Sequence, residues 1–159
     1  MWPFTRKPAW AVQYAQSLYD GLVADNDGGS VTALALRIPT ALHPAYETKI
    51  LLQRELMALV AISESAVGDR DLQPVMLAFG KLVVSQCAAR GLQWSLDQLV
   101  EYAFRDVEKL RADPVPWAQQ WLAEFRDNPD DTFMAAAFAD HCRKLRDAYK
   151  AAIANVRRR

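Results

Sequence analysis

Few residues in this 159-residue chain are of the types that make and break bonds or hold metals, and their spacing decides what each can do. There are two histidines, His43 and His141, and two cysteines, Cys87 and Cys142. His43 and His141 fall on different predicted elements with no partner at ligand spacing, so a histidine metal cluster is not expected. His141 and Cys142 are adjacent, and neighbours on a helix point about 100° apart, which argues against a thiolate–imidazole pair. Both cysteines sit in apolar helical patterns and read as reduced, buried thiols rather than a disulfide framework. His43 precedes Pro44 at a predicted helix start, where a capping or connecting role is the ordinary one.

Two loops gather oxygen ligands. Asp25-Asn26-Asp27-Gly28-Gly29-Ser30 has the look of a calcium loop, yet aligning it with an EF-hand puts Val23 and Leu34 where the terminal carboxylates belong. An Asx and glycine turn is the better reading. Asp127, Asp130 and Asp131 form the densest acidic cluster, and their position before a predicted helix suits capping of its first-turn N–H groups. No glycine-rich phosphate loop and no Gly-x-Ser-x-Gly elbow occurs. The sequence therefore implies no cofactor, no metal and no catalytic residue set.

Two surface features depart from the average. Residues 95–140 carry a net charge of −6 and residues 141–159 a net charge of +6, although the whole chain sums to zero. Arg143, Lys144, Arg146, Lys150, Arg157, Arg158 and Arg159 form the candidate anion-binding set, weighed against a solvated helix face that suits its own dipole. The second feature is aromatic content, with five tryptophans. Trp117, Trp121 and Phe125, at four-residue spacing on a short proline-flanked helix, are the candidate partner-facing patch, weighed against core packing.

The elements that must position these residues are helical. The chain has 18 Leu and 26 Ala against 12 Val, 4 Ile and 5 Thr, a balance that favours helices over sheets. A first helix is predicted from Pro8, with Trp10, Ala11, Tyr14, Ala15, Leu18 and Leu22 on one stripe. Residues 31–38 are ambiguous between strand and a short helix capped by Ser30, with the helix slightly preferred. Pro44 opens a long helix to about Ser65, whose stretch Leu56 to Ile62 is apolar on every side and predicts a central helix. Gly68 closes it, Asp71 opens the next helix from about Leu72 to Arg90, and Gly91 supplies a left-handed cap. Ser95 and Gln98 spell a capping box for a half-solvated helix from Leu96 to Ala112.

Pro114 and Pro116 then introduce the short aromatic helix. The last helix starts near Thr132 with a narrow seam of Phe138, Cys142, Leu145, Tyr149, Ala152 and Val156. With Ala139, Arg146 and Ile153 at e positions and His141, Ala148 and Asn155 at g, no salt bridges would specify a parallel homodimer, so the seam is expected to pack within its own domain.

These patterns predict an all-α single domain over residues 1–159, an irregular bundle of six or seven helices, with residues 1–7 a flexible N-terminal segment and 157–159 a basic tail. A chain of this length buries roughly 70% of its unfolded surface. The longest unbroken apolar run falls far short of a bilayer span, so no transmembrane helix is expected. No secretory signal is legible, and a reducing, cytoplasmic location is expected. The favoured function is a non-enzymatic protein-interaction module, an adaptor, inhibitor or immunity-type partner. The alternative is a binder of nucleic acid or anionic membrane through the basic C-terminal helix, and a third class is an enzyme built from scattered residues.

Overall fold

The computed structural model describes residues 9–23, 36–125 and 132–156. Among these are six α-helices and no strand: α1 (Ala9–Leu18), α2 (His43–Val67), α3 (Gln73–Ala89), α4 (Leu96–Ala112), α5 (Pro114–Leu122) and α6 (Thr132–Val156). The Asp25–Ser30 turn, the Asp127, Asp130 and Asp131 loop, the N-terminal segment 1–7 and the tail 157–159 lie outside the described residues, as do residues 31–35 of the ambiguous segment. The described end of that segment turns at Leu36 and Arg37 rather than continuing a helix, and Arg37 takes a left-handed φ of 56°. His43 Nε2 lies 2.8 Å from the Ile38 carbonyl, which ties this turn to the start of α2 and gives His43 its connecting role.

Helix α2 is the axis of the bundle. Every residue from Gln53 to Ser63 is buried, because α3, α4 and α6 all pack on it. Each large apolar side chain enclosed in this way contributes on the order of 1.5–3 kcal/mol. Helix α1 packs on α3 through Ala11 and Ala15, whose small side chains permit close approach. Trp10, predicted on that stripe, is instead 50% exposed, since it projects one helical position away from the alanine line. Beyond Leu18 the helix widens into a π turn, Tyr19–Val23, which turns Tyr19 inward.

The punctuation between helices is local and largely that predicted. Gly68 caps α2. Asp69, not Asp71, is the capping carboxylate that follows: it accepts the Asp71 N–H at 2.9 Å and starts a 3-10 turn that delivers Pro74 to the first turn of α3. Gly91 holds φ at 84°, where a β-carbon would be strained. The Ser95 and Gln98 capping box is present, with Gln98 N–H to Ser95 Oγ at 3.2 Å and Ser95 N–H to Gln98 Oε1 at 3.0 Å.

By length and composition the stretch Arg70–Ala89 could cross a membrane, with a mean hydropathy of 1.3. The expectation based on unbroken apolar runs passed over it, because Lys81, Ser85 and Gln86 interrupt the run without lowering the average far. In the bundle this helix packs on α1, α2 and α4, with Phe79, Val83 and Cys87 fully enclosed.

The buried face of α6 is broader than a coiled-coil seam. Ala135, Phe138, Ala139, Cys142, Tyr149 and Ile153 are buried against α2 and α5, whereas Leu145 is only partly covered. Ala139 and Ile153, assigned to flanking positions in the heptad reading, are therefore core. Packing on two different helices requires a face wider than the two-position stripe that serves a single partner.

Candidate functional site

Three helices bring side chains together on one side of the bundle. Lys49, Gln53 and Leu56 recur at helical spacing along α2, Tyr102, Asp106 and Lys109 along α4, and Trp117, Trp121 and Glu124 along and just past α5. Such i, i+4, i+7 sets each define one face, and the three faces enclose a depression of about 270 Å³.

The polar groups in it are tied to one another. Asp106 accepts hydrogen bonds from Trp117 Nε1 at 2.9 Å and from Gln53 Nε2 at 2.8 Å, one on each oxygen. Gln53 Oε1 in turn accepts from Trp121 Nε1 at 3.2 Å. Lys49 donates to Glu124 at 2.9 Å and to the Trp121 carbonyl at 3.2 Å, and its ammonium lies 4.6 Å from the Trp121 ring centroid.

Trp117, Trp121 and Phe125 thus face inward, at 7, 6 and 3% exposure, which is the core packing weighed for them and not the partner-facing alternative. Phe138 of α6 explains this, stacking on Trp117 at 5.8 Å and lying 4.6 Å from Trp121. The aromatic stripe is the joint between α5 and α6.

The aromatic surface that does reach solvent lies beside them. Tyr102 is 44% exposed and meets Trp94 edge to face at 4.8 Å. Packing around its ring raises the Tyr102 phenol above its usual range, and the charges of Asp106 and Glu124 add to this. Gln93, Trp94, Gln98, Glu101, Tyr102 and Arg105 line a second depression of about 330 Å³, which shares Tyr102 and Arg105 with the first. Arg105 is held by Glu101 at 2.6 Å across one helical turn. The two concavities thus adjoin along α4.

A second titratable cluster is centred on an enclosed carboxylate, with Arg90 reaching it from the partly exposed end of α3. Glu55, with no exposure, is gripped by both terminal nitrogens of Arg90, at 2.6 and 2.8 Å, and accepts from Tyr19 Oη at 3.2 Å; Cys87 Sγ lies 3.7 Å away. Burial and the neighbouring Glu55 carboxylate push Tyr19 up to about 12 and raise the Cys87 thiol as well. Burial raises Cys142 further. Both cysteines are free and buried, as expected. At neutral pH neither Tyr19 nor either thiol is a ready nucleophile, so this cluster fastens the end of α1 to α2 and α3.

The predicted anion-binding set is divided. Arg146 and Lys150 both bond Glu64 of α2, and Lys144 bonds Asp140 at 2.8 Å on the exposed side of α6. Partial burial works to raise the Glu64 carboxyl, but the Lys150 and Arg146 contacts outweigh it and hold Glu64 below the usual carboxylate value. Arg143 lines a separate cleft with Arg111 and Arg146. Arg157, Arg158 and Arg159 lie outside the described residues.

Sequence reasoning passed over Lys49, Gln53, Tyr102 and Asp106. A signal existed for two of them. Gln53-Arg54-Glu55 separates Ile50-Leu51-Leu52 from the apolar run Leu56–Ile62, and Asp106 falls between the buried Ala103, Val107 and Leu110 of α4. Among the described residues no group of three His, Cys, Asp or Glu is placed to hold a metal ion. No family model, curated protein or solved structure matches this chain.

Proposed function

We propose that this chain is a non-catalytic protein-interaction module, of the adaptor, inhibitor or immunity type, that engages a partner through the paired depressions along α4. The observation that carries this reading is Tyr102 and Arg105, shared by both concavities, with Tyr102 set edge to face against Trp94 at the surface. Tyr, Trp and Arg are the residue types on which binding energy concentrates, and anchors held by their neighbours lose little entropy on binding.

Asp106 supports binding over bond-making chemistry. Both its oxygens are occupied by neutral donors, Trp117 Nε1 and Gln53 Nε2, which hold it as a structural acceptor. The two free, buried thiols support a reducing, cytoplasmic setting.

The test is recovery of a partner from the native cell by the tagged chain, compared among wild type, Tyr102→Ser/Arg105→Ala and Lys144→Ala. A protein partner retained by Lys144→Ala and weakened about thirtyfold or more by the double variant is expected. Equal recovery by the double variant at an unchanged melting temperature would overturn the assignment.

A further inference from the structure

Helices α4 and α6 flank a cleft of about 170 Å³ lined by Val107, Leu110, Arg111, Arg143, Arg146 and Asp147. Arg111, Arg143 and Arg146 share the lining with Asp147, while Glu108 lies 3.6 Å from Arg111 Nη1 at its edge, so of the three guanidiniums Arg143 brings a charge that no salt bridge among the described residues offsets. Val107 and Leu110 are 3 and 2% exposed and give the cleft an apolar floor, against which charges act across a weaker dielectric than water.

Two of the guanidiniums are positioned from outside the lining by Glu64. It takes Arg146 Nη2 on both oxygens, at 2.7 and 2.9 Å, and lies 3.5 Å from Arg111 Nη2. Arg146 therefore spends one terminal nitrogen on the protein, and Arg143 makes no salt bridge among the described residues.

We propose that this cleft binds the phosphate group of a small phosphomonoester. Guanidinium forks match phosphate oxygens, and three of them, drawn from two helices, suit a tetrahedral group with several oxygens better than a planar carboxylate, which one fork fills. The volume admits a phosphate and a few further atoms, below the roughly 300 Å³ at which pockets for larger ligands begin. Asp147 offers an acceptor for a hydroxyl on the organic part, which selects a polyol phosphate over inorganic anions.

The probe is glycerol 3-phosphate, titrated into the full chain at low salt while the arginine side-chain Nε–Hε resonances are followed by NMR. Saturable shifts of Arg111, Arg143 and Arg146 are expected, weakening as salt is added. Arg143→Ala and Arg111→Ala, both at exposed side chains, should each weaken binding at least about tenfold without altering the melting temperature. Arg143→Lys should fall between, because an ammonium lacks the fork, and Lys144→Ala should bind as wild type.

A parallel arm measures sedimentation with phosphatidylcholine vesicles with and without phosphatidic acid. Binding to the acidic vesicles but not to glycerol 3-phosphate would support the phosphate site and name a lipid headgroup as its source. Absence of saturable shifts together with absence of vesicle binding would overturn the proposal. So would binding undiminished in both arginine variants, or a preference for RNA over both phosphomonoester sources.

Discussion

Glu55 is buried without touching solvent, and Tyr19 from the π turn and Cys87 and Arg90 from the end of α3 close on it. A buried pair of this kind is expensive to break and cheap to replace, since the loss of one partner strands the other in a poor dielectric. Arg90→Met should cost about 3–5 kcal/mol, and Glu55→Leu/Arg90→Met should recover most of it, as measured by urea denaturation. A double variant as unstable as the single would show that packing at Arg90, and not the stranded carboxylate, carries the loss. His141 poses the opposite problem. Its Nε2 is buried with no hydrogen-bond partner among the described residues, and burial, then Arg54, lowers its pKa below 6.5. The unfolded chain therefore takes up this proton before the folded chain does, so stability should fall as pH drops from about 6.5 to the lowered value. His141→Gln should flatten that part of the curve, and an unchanged slope would assign it to other groups. Neither environment could be read from sequence. The Glu55 and Arg90 partners are 35 positions apart, and burial of His141 depends on how α6 is rotated against α2.

Helix starts and stops were legible because their causes are local: the Ser95 box, the Gly91 cap and the prolines act within a few residues of themselves. Helix rotation was not, because it is set by what each helix packs against. The heptad reading of α6 placed Leu145 at the centre of its seam, but the two-sided contact with α2 and α5 centres the buried face on Phe138, Cys142 and Ile153. Phe138→Ala should accordingly cost about 3–5 kcal/mol, since it removes the ring that both α5 tryptophans pack on. Leu145→Asp, which the seam reading would make unfolding, should cost clearly less, because an aspartate on this partly covered side chain can turn its charge to water. Thermal melting of the two variants checks the order. A reversed order would restore the narrow seam. Trp117 and Trp121 teach the same lesson for the candidate site: their spacing put them on one face, but the face pointed to Phe138.

At the scale of the whole molecule, the segregated charge of the sequence is partly knitted together by the fold. Glu64 of α2 draws in Arg146 and Lys150, so the basic helix is held by the centre of the bundle. Lys49 of the same central helix reaches out to Glu124, a member of the acidic half. Helix α4 carries the aromatic depressions on one flank and the arginine cleft on the other. This arrangement gives the chain a built-in optical reporter. Trp117 and Trp121 are enclosed and hydrogen-bonded, whereas Trp94 sits half-buried on the wall of the depression that Tyr102 shares. In a Trp2→Phe/Trp10→Phe background, an added quencher such as acrylamide should extinguish one class of emission, from Trp94, and spare the other. Occupancy of the α4 depressions should then protect the quenchable class, whereas filling of the arginine cleft should leave it untouched, so a single emission measurement separates the two binding surfaces.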